Sequence, residues 1–281
     1  MNGVDGVIDR WTEYQWKIRE RAVYEDEDGD NNEGNYNATD TNEFSRVVHH
    51  LPQRALDVKT EIVGGIDITP ASSSHDECIV TIVVLSVHAQ RVLYTYHEAH
   101  AISEPYVPSY LAMRESGPIR RAYTNFTSHT LNPMHTPAVW LIDGNGRLHE
   151  REAGLATQVG VELGIRTVGV TKNYYPMTHF HGALSHPKLF KGLAQQLLNR
   201  RGDWIGLPGA SENASANTYI GAALLTGRNA TNPVFVSAGH RCSLQFALSV
   251  TYALSKHRIP LPIALADKAG RQYMREHSYH C

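Results

Sequence analysis

The sequence predicts an α/β fold, with one mixed β-sheet carrying helices on both faces. Three observations carry that expectation. Residues 61–69 (EIVGGIDIT), 78–87 (CIVTIVVLSV) and 91–101 (RVLYTYHEAHA) are β-branched or aromatic runs separated by short polar breaks. Beyond them, short apolar runs alternate with helix-length segments. The 281 residues are 42% hydrophobic, enough to cover both faces of one large sheet.

Each element follows in chain order. Residues 8–23 set Trp11, Trp16 and Ile18 among charges, which predicts an amphipathic helix; residues 1–24 are expected to pack on the body as an N-terminal helix. Residues 25–42 (EDEDGDNNEGNYNATDTN) have almost nothing to bury and predict a disordered acidic segment. One globular domain is expected over 43–281. Within it, the three runs at 61–101 predict a meander of antiparallel strands. A helix is expected over 110–123, a buried strand over 138–142, a helix over 153–163 and a short buried strand over 167–171. Then come a helix at 187–199, strands at 218–225 and 234–237, and a helix at 243–255 with Ser243 as its cap. Pro260, Pro262 and a polar end are read as closing the chain. There is no internal repeat.

Composition excludes several functions. No stretch approaches the roughly 18 apolar residues of a membrane helix, and no basic-then-apolar leader opens the chain. Membrane partners are therefore not expected. Cys78, Cys242 and Cys281 are few, distant and odd in number, which argues against a disulfide framework or a structural zinc site. A reducing compartment follows, the cytoplasm first and the nucleus or nucleolus second. Formal charge is −2, but Glu25, Asp26, Glu27, Asp28, Asp30 and Glu33 fall in one run. Setting those six aside leaves 26 bases against 22 acids, a mildly basic body able to hold a phosphate backbone.

The chemistry-bearing residues sit at strand ends. Asp67 ends the first strand after Gly64-Gly65, and Asp143 ends the fourth. If those strands are neighbours, the two carboxylates converge. Glu115 lies on the helix between them, and His240 lies in SAGHR, just ahead of a long helix. Three carboxylates and an imidazole make a hard donor set suited to Mg²⁺ or Mn²⁺. Two such ions can activate water and stabilise a leaving oxygen. Lys172 closes the next strand and would face a scissile phosphate as a point charge. Alone, each acid reads equally as a loop residue or helix cap; the joint pattern carries the reading. Pro105-Tyr106-Val107-Pro108 holds an aromatic between two prolines. Such a ring can replace an extruded base in a stack, or it can be a core tyrosine in a turn. Gly144 and Gly146 allow close approach of a base or simply make a tight turn. His179 and His181 lack a third ligand at metal-like spacing.

Taken together these residues resemble the endonuclease V family. The similarity runs from about residue 61 to about 266. It lies in VGGIDIT at 63–69, PYVPSYLAMRE at 105–115, LIDGNGRLHEREAGLATQVGVELGIRTVGVTK at 141–172 and SAGHRCSL at 237–244. The resemblance implies a ribonuclease H-like fold and Mg²⁺-dependent hydrolysis, with Mn²⁺ substituting. The bond cut is the second phosphodiester 3′ to inosine, leaving 3′-hydroxyl and 5′-phosphate ends. It implies that Asp67, Glu115 and Asp143 bind metal, that His240 completes that site and that Lys172 stands near the phosphate. Tyr106 matches the wedge aromatic, flanked by Pro105 and Pro108. Leu111, Gly144, Gly146, His149 and Gly169 match positions lining or closing the pocket for a flipped hypoxanthine. A pocket of backbone amides would donate to the hypoxanthine oxygen, and a tight wall would exclude a 2-amino group.

The chain departs from the family pattern at Asn173, where a second lysine is common, and at Ser109, where glycine is common. The stretch 174–186 and the acidic run 25–33 are not family hallmarks. Asn145 and Leu148 resemble the eukaryotic form, which implies inosine in single-stranded RNA as substrate, with deoxyinosine in DNA as the alternative. A non-catalytic reader of inosine-containing RNA and a structure-directed nuclease of the same fold are the remaining alternatives. The sequence identifies no protein partner and no oligomeric state.

Overall fold

The computed structural model describes residues 4–26, 48–51, 61–71, 76–210, 219–228 and 230–277. The expected meander forms as β2 (Ile62–Pro70), β3 (Glu77–Ser86) and β4 (Arg91–Ala101), paired antiparallel throughout. Its middle strand is buried at every position but the first, as its unbroken apolar run requires. The other strands are β1 (His49–His50), β5 (Val139–Asp143), β6 (Thr167–Thr171), β7 (Asp203–Pro208), β8 (Tyr219–Leu224) and β9 (Val234–His240). All nine make one sheet in the order β1-β7-β8-β9-β6-β5-β2-β3-β4. β2, β5 and β6 run parallel, and β9 runs antiparallel to β6, so the sheet is mixed.

The helices are α1 (Val4–Arg21), α2 (Leu111–His129), α3 (Leu155–Leu163), α4 (Pro187–Leu197), α5 (Leu244–Ala253) and α6 (Leu261–Glu276). They cover both faces. On one, Ala112 and Ile119 of α2 and Val159 of α3 pack on Ile66, Ile82 and Trp140. On the other, Ala247 and Leu248 of α5 and Ile263 and Ala266 of α6 pack on Val63, Leu141 and Val236. Among the described residues, no helix is long and apolar enough to cross a membrane.

The double glycine before Asp67 exists because both sides of β2 are crowded. A Cβ at Gly64 would meet the Trp140 ring at 2.1 Å; one at Gly65 would meet the Pro262 backbone at 2.5 Å. The start of α6 therefore lies directly on β2. Gly270 keeps the contact one helical stretch later, where a Cβ would meet Thr69 Oγ1 at 2.5 Å.

Several expectations need correction. α1 begins at Val4 rather than at 8 and ends at Arg21. Asp26, within the acidic segment, is not loose: its carboxylate accepts from Ser243 N–H at 2.9 Å and from Ser243 Oγ at 2.6 Å. The remainder, 27–42, lies outside the described residues. The polar end at 260–276 is a helix, because Pro262 occupies its first turn and Ile263, Ala266, Gly270 and Met274 bury one face. The stretch 174–186 is not merely polar, since Met177, Phe180 and Leu184 build a core cluster with Phe190 of α4.

Candidate active site

Strand direction assembles the acids. Ile66 pairs with Ile142 across parallel β2 and β5, so Asp67 and Asp143 come next, side by side, on the face covered by α6. Asp67 is 8% exposed. Lys172, just past β6, places its Nζ 2.8 Å from Asp143 Oδ2 and 3.7 Å from Asp267 Oδ2. Asp267 comes from α6, laid against β2 by the glycine contacts above. Glu115 approaches from α2 on the opposite face.

Lys172 and Arg271 pair with Asp143 and Asp267 of this acidic set. Burial pushes the Asp67 carboxyl up to about 8, with Asp143 and Asp267 adding repulsion and Lys172 opposing it. Burial likewise raises Glu115 to about 7; Arg114 opposes the rise and Asp143 adds to it. Burial pulls the Lys172 ammonium down, but its hydrogen bond to Asp143 and the three aspartates outweigh that and leave it raised. Among the described residues, no three acidic, histidine or cysteine side chains close around a common point by themselves. The donor set nonetheless suits a hard divalent cation. Mg²⁺ keeps waters and substrate phosphate in its shell and needs only a few carboxylates. Asp143 pairs with Lys172 and Asp267 with Arg271 at 2.6 Å, whereas burial raises Asp67 and Glu115.

His240 is not brought to this cluster. β9 runs antiparallel to β6, so its last residue lies beside β6's first: His240 pairs with Thr167, at the opposite end of the strand from Lys172. Its Nδ1 accepts from Val23 N–H at 3.2 Å. The side chain that joins the carboxylates is Asp267, which sequence reasoning missed. Its signal was available in the apolar spacing of 263, 266, 270 and 274, which makes 260–276 a helix.

A second cluster lies beside the first. Tyr106 is 68% exposed between Pro105 and Pro108, which are exposed as well. The turn closes through Tyr110 N–H to Val107 carbonyl at 3.0 Å, and α2 begins at Leu111. Ser109 holds φ at +65°, the left-handed conformation that makes glycine the easier residue there. Its carbonyl accepts from His149 Nε2 at 3.0 Å, Arg151 Nη2 at 2.7 Å and Gln15 Nε2 at 3.4 Å. Its hydroxyl meets the Tyr175 hydroxyl at 2.9 Å. His149 is buried, and its Nδ1 accepts from Arg151 N–H at 3.3 Å, which leaves Nε2 as the protonated nitrogen. Burial and the nearby Arg151 lower it to about 4, against the Ser109 hydrogen bond, so the ring is neutral. Both nitrogens are occupied, so His149 holds the Tyr106 turn.

The turn Gly144-Asn145-Gly146 lies backbone-to-backbone on β6 and β9. A Cβ at Gly169 would meet Gly146 N at 2.3 Å, and one at Gly146 would meet Ala238 O at 2.2 Å. Gly144 N–H donates to Val170 carbonyl at 3.2 Å and Gly146 N–H to Ser237 Oγ at 2.9 Å. These two amides are spent inside the protein. The glycines thus keep a low floor between the acids and the Tyr106 turn.

Comparison with known proteins identifies the family and the fold. The endonuclease V family profile matches residues 43–268. Human endonuclease V is 31% identical over 214 residues, covering 76% of this chain and 72% of that one. The crystal structure of the human catalytic domain superposes with a TM-score of 0.76 at 28% identity, covering 97% of each chain. Endonuclease V of Ciona intestinalis superposes with a TM-score of 0.77 at 26% identity, covering 97% of this chain and 98% of that one. It was crystallised with a DNA containing an inosine followed by a ribo-adenosine. The fold is accordingly ribonuclease H-like.

Proposed function

The chain belongs to the endonuclease V family and is a nuclease, and on that premise we propose that it is an inosine-directed, Mg²⁺-dependent endonuclease. Its substrate is inosine-containing single-stranded RNA, with deoxyinosine-containing DNA also cut. It hydrolyses the second phosphodiester 3′ to inosine and leaves 3′-hydroxyl and 5′-phosphate ends. The observation that supports this best is the convergence of Asp67, Asp143 and Asp267, with Asp67 pushed to about 8 by burial and by the two neighbouring carboxylates.

Asp67, Glu115, Asp143 and Asp267 would hold the metal, with Mn²⁺ a substitute. When bound, it would activate water and stabilise the leaving oxygen. The chain's own residues do the rest. Lys172, already among the carboxylates, turns its ammonium to the phosphate as substrate arrives. Tyr106, stiffly held and exposed, fills the gap left by an extruded base. Leu111, beside the Tyr106 turn, and the backbone floor built by Gly144, Gly146 and Gly169 would receive the extruded base, and His149 keeps the turn in place. The chemistry runs in a site partly closed to water.

Cleavage of a single-stranded RNA carrying one inosine, compared with its adenosine counterpart in Mg²⁺, tests the proposal. Preferential cleavage of the inosine strand is expected; equal or absent cleavage of both would overturn it. The DNA reading is favoured by one observation, the inosine-containing DNA bound by the Ciona relative. Matched DNA strands in the same assay separate the two. A pure reader would bind inosine strands without Mg²⁺ and never cut them.

A further inference from the structure

α1 lies outside the family match, which begins at residue 43. Its Gln15 is nevertheless completely buried. The carboxamide spends each of its functions on the two loops that border the site. Nε2 donates to Ala153 carbonyl at 3.2 Å and to Ser109 carbonyl at 3.4 Å, while Oε1 accepts from Arg151 Nε at 2.5 Å. One side chain thus ties the Tyr106 turn to the 144–154 loop. Neighbouring contacts act in the same direction. Thr12 Oγ1 meets the Tyr110 hydroxyl at 2.6 Å, Trp11 packs on the Tyr110 ring at 5.8 Å, and the Arg151 guanidinium lies 4.3 Å from that ring's centre.

We infer that Gln15 is a positioning residue for nucleic-acid recognition: its carboxamide holds Ser109 and Arg151 so that Tyr106 is presented at a fixed height above the base-receiving floor. Only an amide suits the place. A carboxylate would satisfy Arg151 but set an oxygen against two carbonyls, and an apolar chain would leave buried groups unpaired. Ser109 is where restraint is needed most, because a non-glycine residue there is held at positive φ. The substrate side of this inference rests on the inosine reading above; the restraint on the loop does not.

The test uses Gln15→Met, which keeps length and apolar contact. Amide exchange over 105–110 is expected to speed up about tenfold or more, since three hydrogen bonds, one buried and two partly buried, are lost. Binding of a labelled inosine-containing single-stranded RNA without divalent metal should weaken about five- to tenfold. On a Tyr106→Ala background that weakening should vanish, as coupled residues in one pathway are non-additive. Gln15→Glu, which keeps the Arg151 contact, should show the same losses and serves if the Met variant does not fold. Unchanged exchange over 105–110 in a folded variant, or equal weakening on both backgrounds, would overturn the inference. A wild type that binds inosine and adenosine strands alike, with exchange still faster in the variant, supports the restraint and strikes only the substrate reading.

Discussion

His149 makes stability depend on pH in a direction that can be worked out. Its neutral ring donates from Nε2 and accepts at Nδ1. Protonation would set a second N–H against the Arg151 amide and a charge beside the Arg151 guanidinium. The unfolded ring takes a proton near 6.5, whereas the native ring refuses it until about 4. Between those values the unfolded state binds more protons, so stability falls as pH falls. At about 1.4 kcal/mol per tenfold in proton affinity, the loss is about 2 kcal/mol by pH 5 and about 3 kcal/mol once the native ring charges. Asp67 and Glu115 act oppositely, because their raised native values favour the protonated fold. The comparison must therefore be made within one background. Urea unfolding of wild type and His149→Gln at pH 7 and pH 5, in metal-free buffer, isolates the term. The amide can still donate to Ser109 and accept from Arg151, but it does not titrate. The difference between the two pH values should shift by about 2 kcal/mol between the proteins. Identical pH dependence would refute the assignment of a neutral, doubly bonded ring.

Three further outcomes are expected. Asp67→Asn should raise the Tm of the metal-free protein by removing an acid that burial and its neighbouring carboxylates disfavour, yet abolish cleavage in Mg²⁺; calorimetry and a gel assay read the two, and a lowered Tm would contradict that account. Gly169→Ala should cost about 1–3 kcal/mol, because its Cβ would press on the backbone of Gly146 and Gly144. Gly164→Ala, at positive φ but with nothing within 4 Å, should cost only about 1 kcal/mol; denaturant midpoints rank the two, and equal cost would refute the packing account. Tyr106→Ala should leave Tm unchanged, since the ring is mostly exposed, while cleavage of an inosine strand falls at least tenfold; unimpaired cleavage would remove the wedge role.

Much of the architecture was legible because its strands are compositionally pure. The expected 91–101 and 167–171 are the observed bounds of β4 and β6. Asp67 and Asp143 do lie on neighbouring strands, and Asp143 ends β5, but β2 runs on past Asp67 to Pro70, where it still pairs with β3. β7 escaped notice because Gly206 and Pro208 interrupt its apolar run, and its first residue is a buried aspartate whose carboxylate meets His50 at 2.8 Å. His240 was misplaced for a different reason. Local composition identifies a strand but not its direction, and β9 runs the other way, extending to His240 rather than stopping at 237. Asp267 was missed because a helix beginning Pro-Leu-Pro reads as a terminus until its buried face is counted. The roles of the glycines were half legible: sequence shows that backbone comes close there, but only the fold shows that it is the protein's own.

The union of β2 with α6 also governs when the acidic cluster can exist. Asp67 and Asp267 stand roughly two hundred positions apart, and closing so long a loop is among the slower events in assembly. A chain emerging from the ribosome can pair β2, β3 and β4 early, since those contacts are local. It can place Asp267 only after the intervening strands and helices have been made, and until then the Gly65 surface is without Pro262. Synthesis interrupted before α6 would leave Asp67, Glu115 and Asp143 without Asp267. The full acidic cluster is thus completed only after every strand of the sheet has been made.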